Sequence, residues 1–124
     1  MKKKKAAKKK ASPEEKKRKQ EGFFQDVWEV VKLIPRGKVT SYGAIAKYLG
    51  TGKSARMVGW AMNASPSDVP AHRVLNSKGL LTGKHHFPEG MMEKKLNAEG
   101  HKISGEQLVN FEMSFWDPNF EIEI

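Results

Sequence analysis

The segment MKKKKAAKKKASPEEKKRKQEG, residues 1 to 22, constrains the fold most, because its one large apolar side chain is Met1. It holds eleven Lys or Arg against three Glu, a net of +8, while the whole chain carries +9. Residues 23 to 124 are therefore almost neutral, at +1, and must supply the whole core. A chain of this length is expected to build one modest domain over that range. The first 22 residues bury too little to offset their ordering entropy, so a solvated, disordered arm is expected there. Each lysine that neutralises a phosphate releases counterion, which would give the arm salt-sensitive, sequence-blind affinity for DNA or RNA. Within it, SPEE reads as a capping box, Ser12 at the N-cap and Glu15 at N3, which would make the arm helical before Gly22.

From Phe23 the pattern changes. Phe23, Val27, Val30, Val31 and Ile34 recur at helical spacing, with Phe24 and Trp28 beside them and Pro35 as a stop, predicting an amphipathic helix. PRGK reads as a turn, after which Ser41 can cap a second helix, Tyr42 to Leu49, that Gly50 ends. Ser54 can cap a third, ARMVGWAMNA. Two short helices joined by a Gly-containing turn form the helix-turn-helix pattern, whose second helix docks on DNA. Ala55, Gly59 and Ala61 are small enough to let that helix approach a phosphate backbone, and Arg56 projects from its start. The same residues also suit ordinary helix packing with a solvated cation, and local pattern alone favours that plainer reading.

Further on, SPSDVP reads as a loop, HRVLN as a short strand and SKG as a turn. Pro88 can open a last helix, PEGMMEKKLNAEG, burying Met91, Met92 and Leu96 and ending at Gly100. The aromatic-rich LVNFEMSFWDP is expected to pack back on the body as a strand.

The chain contains no cysteine, which excludes disulfides, thiolate metal ligands and thiol nucleophiles. No apolar run is long enough to span a bilayer, and no apolar h-region follows the basic N-terminus. A cytoplasmic, nucleoid-associated protein is the expectation. His72, His85, His86, His101, Glu89 and Glu99 lack a recognised metal-ligand spacing, so neither a metal site nor a cofactor is expected.

Four segments then carry a family resemblance by their order and spacing: IPRGKVTSYGAIAKYLG, SARMVGWAM, VPAHRVLNSKG and LNAEGHKI. Over about residues 23 to 105 the chain resembles the C-terminal domain of alkylguanine-DNA alkyltransferases, and more closely the alkyltransferase-like proteins. The resemblance implies a small α/β domain, mostly helical, of winged-helix-like, helix-turn-helix type with short strands. It places Pro70, Ala71, His72 and Arg73 where the alkyltransferases carry Pro-Cys-His-Arg, the cysteine taking an alkyl group from a damaged guanine. His72 and Glu99 match the residues that activate that cysteine. Alanine has no lone pair to attack with, so alkyl transfer by the family mechanism is excluded and no enzyme is expected.

What the resemblance leaves is machinery for reaching a base. Tyr42 matches the tyrosine that pushes on the phosphate beside the lesion, and Arg56 the finger that fills the gap left by a flipped nucleotide. Ser41, Ala55 and Gly59 are implied as further DNA contacts. Tyr42, Pro70, Ala71, His72, Arg73 and Val74 are implied as the lesion pocket. The expected protein is a monomer that binds duplex DNA through the minor groove, holds an alkylated guanine unrepaired and flags it to nucleotide excision repair proteins. The chain departs from the family at three places. Many alkyltransferase-like proteins carry tryptophan at the position of Ala71, Trp60 stands where a small residue is frequent, and the lid LLTGKHHFPEG matches poorly, leaving Lys84, His85 and His86 without a role. A helix-turn-helix module without lesion preference, and a remnant His72/Glu99 base acting on water, are the alternatives.

Overall fold

A computed structural model describes residues 12–122; the lysine run before Ser12, within the arm expected to be disordered, lies outside them. Both halves of the capping box form: Ser12 Oγ accepts from the Glu15 amide at 3.1 Å, and Glu15 Oε1 accepts from the Ser12 amide at 2.8 Å. With orphan amides satisfied there and Pro13 at the first position, helix α1 runs unbroken from Pro13 to Lys32. It passes through Gly22, whose helical cost of about 1 kcal/mol does not interrupt it. Phe23, Val27, Val30 and Val31 form its buried face, and Ile34 is buried just beyond its end.

Strand β1 (Thr40–Ser41) leads into helix α2 (Tyr42–Leu49), where Ser41 Oγ accepts from the Ala44 amide at 3.1 Å. Gly50 ends α2 at φ 114°, a left-handed conformation that side-chain-bearing residues avoid. Helix α3 (Ala55–Asn63) starts at Ser54, whose Oγ accepts from the Met57 amide. Val58, Ala61 and Met62 face the core, and the Trp28 indole donates to the Ala61 carbonyl at 2.8 Å, pinning α3 to α1. Ala61 was expected among the small groove-facing residues. It is instead fully buried, because the helical period puts it on the face of Val58.

The expected strand HRVLN is mostly a turn. Ala71–Arg73 forms one turn of 3₁₀-helix, and only Val74–Leu75 is strand, β2, paired parallel with β1. A strand would send His72 and Arg73 to opposite faces, whereas both side chains bond the same carboxylate, that of Glu99. The β1–β2 pair separates two apolar clusters, with Val74 packed among α1, α2 and α3 residues and Leu75 beside Val39, Leu81, Met92 and Leu96. Helix α4 spans Met91–Ala98 and does not begin at Pro88, because Gly90 at φ 77° breaks the chain direction first. Strands β3 (Ile103–Ser104) and β4 (Gln107–Leu108) form a small antiparallel hairpin.

Past Leu108, the end of β4, the C-terminal aromatic segment is not a strand beyond one bridge from Phe115 to Val39. Asn110, at φ 61°, turns the chain into α5 (Phe111–Ser114), and Asp117 caps α6 (Pro118–Glu121). Trp116 still packs back, into the first cluster. Among the described residues no helix is long and apolar enough to cross a membrane, and no group of three or more acidic or histidine side chains is placed to hold a metal ion.

Candidate nucleic-acid interface

With Val58, Ala61 and Met62 committed to the core, α3 turns Ala55, Arg56, Gly59, Trp60 and Asn63 outward. Arg56 and Trp60 are four residues apart, so they stack on one face, with the guanidinium carbon 5.7 Å from the indole centroid. Ala55 and Gly59 lie alongside and line the same shallow groove, which Tyr42, Thr82, Gly83 and His86 close on the far side. A Cβ added at Gly59 would meet nothing within 4 Å, so the backbone there is open to an approaching surface.

Behind this groove is a cavity of about 420 Å³, within the range of about 300–1,000 Å³ typical of small-molecule sites. Pro70, Ala71 and His72 form one wall, Met91, Met92 and Phe87 another. Tyr42, Asn63, Gly83 and His86 line both the cavity and the groove, so the two adjoin across these four residues. Burial raises the pKa of the Tyr42 phenol and a hydrogen bond with Thr82 offsets part of that, so the hydroxyl keeps its proton and can donate. A Cβ at Gly83 would lie 2.7 Å from the Tyr42 hydroxyl oxygen, so a side chain there would have to displace the tip of the phenol.

Glu99 organises the wall beneath Ala71. Its carboxylate accepts from Arg73 at both oxygens, Nε at 3.0 Å and Nη2 at 2.7 Å, and from His72 Nε2 at 2.9 Å. Burial alone would raise the Glu99 pKa; the Arg73 and His72 hydrogen bonds and charges outweigh it and bring it down to about 2. Burial holds the His72 pKa below its ordinary value despite Glu99, so the ring is neutral with the proton on Nε2 and Nδ1 left as acceptor. Arg73 also donates to the Ile34 carbonyl at 2.9 Å, and Arg36 to that of Ala98 at 2.8 Å, tying the centre to the end of α1. His101 is buried close enough to feel the charges of Glu99 and Arg73, and burial lowers its pKa. His72 and Glu99, which the resemblance implies as an activating pair, are hydrogen-bonded to each other, and the residue beside His72 at position 71 carries only a methyl group.

The residues expected at the site divide accordingly. Tyr42, Pro70, Ala71 and His72 line the cavity; Tyr42, Ala55, Arg56 and Gly59 line the groove. Arg73 and Val74 line neither: Arg73 is spent on Glu99 and Ile34, and Val74 is a core residue at 1% exposure. Ser41 is buried with its hydroxyl committed to capping α2. Trp60 is exposed and lies in the groove. In the lid, Lys84 binds Glu106 at 2.8 Å and fixes the 3₁₀ turn Lys84–His86 against the β3–β4 turn; His86 enters the site and His85 stays outside. Asn63, Gly83 and His86 escape sequence reasoning, because no local pattern distinguishes them from loop or helix-end residues.

A helix-turn-helix whose outward helix lies beside a cavity of small-molecule size defines a DNA-binding type of domain. Residues 22–101 match the family described as 6-O-methylguanine DNA methyltransferase, DNA binding domain, and the chain belongs to that family. It is 38% identical over 103 residues to the DNA base-flipping protein of Escherichia coli K12, covering 79% of this chain and 77% of that one. It is also 38% identical over 104 residues to alkyltransferase-like protein 1 of Schizosaccharomyces pombe, covering 77% and 95%. The crystal structure of S. pombe Atl1 in complex with damaged DNA containing O6-carboxymethylguanine superposes with a TM-score of 0.68 at 34% identity, covering 79% of this chain and 97% of the other.

Proposed function

We propose that this protein recognises alkylated guanine in duplex DNA without repairing it. In this reading α3 docks in the minor groove, the damaged nucleotide rotates out of the stack, and its base is held in the cavity beside Ala71. The observation that carries the reading is the shared wall of Tyr42, Asn63, Gly83 and His86, which sets the cavity directly beside the groove where a base would leave the duplex at Arg56. The S. pombe relative bound to damaged DNA supports it. Extrusion costs a few kcal/mol, least for a damaged, weakly paired base, and Arg56 filling the gap offsets about 1–3 kcal/mol by stacking. With no cysteine in the chain, the alkyl group has no thiolate to move to. The protein acts as a cytoplasmic, nucleoid-associated monomer, and the persistent, deformed complex is the signal to nucleotide excision repair proteins.

Titration of matched duplexes carrying guanine, methylated guanine and a bulkier alkylguanine tests this. One buried methyl group contributes roughly 0.8 kcal/mol, about fourfold, so affinity rises modestly from guanine to methylguanine and further for groups that fill the space around Ala71. Equal binding across the series would reduce the protein to a helix-turn-helix module without lesion preference. Tyr42→Phe removes only a hydroxyl, and losing one hydrogen bond worth about 1 kcal/mol weakens binding roughly fivefold.

A further inference from the structure

On the other side of Trp60 lies a second groove, between α3 and the N-terminal half of α1. Phe23, Phe24 and Trp60 contribute to its apolar floor. Lys16, Lys17, Lys19 and Lys53 stand around it, and no carboxylate lines it. Lys16, Lys19 and Phe23 follow the helical repeat down one face of α1, which the capping box at Ser12 keeps helical this far out. Lys53 is steadied by the Phe23 ring, its Nζ 5.0 Å from the centroid. Trp60, 48% exposed, is the wall common to this groove and to the one containing Arg56.

We propose that this second groove seats the sugar-phosphate backbone flanking the flipped nucleotide, extending the DNA contact from α3 onto α1. The inference rests on α3 being the DNA-facing helix, as proposed above. Two features select DNA as occupant. The groove adjoins the Arg56 surface across one exposed indole, and its charge is all of one sign, with Lys16, Lys17 and Lys19 of the basic N-terminal segment meeting Lys53 of the body around it. Lys16, Lys17 and Lys19 lie within about 5 Å of helix rise, so their long side chains reach two or three adjoining phosphates of one strand. Such contacts neutralise phosphate without reading bases, so they strengthen binding to damaged and intact duplex alike.

The test uses the full chain, the triple variant Lys16→Gln/Lys17→Gln/Lys19→Gln, and Lys53→Gln. Glutamine has nearly the helix propensity of lysine, so α1 stays folded. Each is titrated over a salt series against a duplex with one alkylated guanine and against its undamaged match. Each phosphate contact contributes roughly 0.9 to the slope of log affinity against log salt, so the triple variant loses about 2 to 3 and Lys53→Gln about 1. Affinity falls in the same proportion for both duplexes, and their ratio stands. Unchanged slopes in both variants, with Arg56→Ala still weakening the damaged complex, overturn the groove and leave the function intact. A changed ratio in the triple variant overturns it too, because the lysines would then act on the extruded base. Should the unmodified chain show no preference between duplexes, the lesion reading fails, while the slopes still decide the groove.

Discussion

Arg56→Ala lowers affinity for a duplex containing an alkylated guanine by about 5- to 150-fold, while binding to the undamaged match falls by the smaller amount expected from one lost cation. The larger loss follows from what the guanidinium does in each case. On intact DNA it is one exposed charge among many, its contact with Trp60 contributing about 0.5–1 kcal/mol at a surface. In the proposed complex it fills the gap left by the extruded nucleotide, where stacking would contribute about 1–3 kcal/mol, which sets the fold range. Arg56→Lys separates charge from shape. Lysine keeps the cation but lacks the planar fork that stacks on bases, so its lesion preference stays close to that of the alanine variant. Direct titration of the two duplexes checks this, and an equal loss on both with Arg56→Ala sinks the finger role.

Glu99→Gln destabilises the fold by about 3–5 kcal/mol, read by chemical denaturation. The carboxylate is 6% exposed and its partner Arg73 15%, so removing the charge leaves a guanidinium buried without a counter-ion. The pH dependence has a definite sign. The pKa of Glu99 lies at about 2 in the fold against an ordinary 4.5, so its contribution, on the order of 3 kcal/mol, is complete above pH 4.5 and lost as pH falls toward 2. The pKa of His72 is also depressed, chiefly by burial, and its neutral form contributes fully above the ordinary value of 6.5, with loss beginning as pH drops through it. Acid unfolding of the unmodified chain therefore shows an early loss from histidine and a later one from Glu99. In Glu99→Gln most of the later loss disappears, leaving the part carried by the exposed Glu15 and Glu106, whose pKa values their hydrogen-bond partners also lower. A variant as stable as the parent, or one that keeps the later loss in full, contradicts the assignment of Glu99 as the charge centre under the cavity.

Much of the helix-turn-helix was readable because its signals are local. Ser41 and Ser54 each bond an amide three residues ahead, Gly50 supplies the positive φ that stops α2, and the Ser12 box closes on Glu15. Those interactions need no tertiary partner, so residue type and spacing carry them. The turn at Ala71–Arg73 and the late start of α4 were not readable in the same way. Local propensity admits a strand through His72, and only Glu99, far along the chain, draws both side chains to one side.

The sequence by itself determined that this chain cannot move an alkyl group to a cysteine, and the family motifs it carries placed Tyr42 and Arg56 beside a recognition helix. Tertiary structure alone decided which motif residues face the cavity and the groove. It withdrew Arg73 and Val74 into the scaffold, brought Asn63, Gly83 and His86 to the cavity, and set the α1 lysines beside Trp60. The division is physical: chemistry absent from every side chain cannot be restored by folding, whereas the direction of a side chain is set by contacts that only the folded chain brings together.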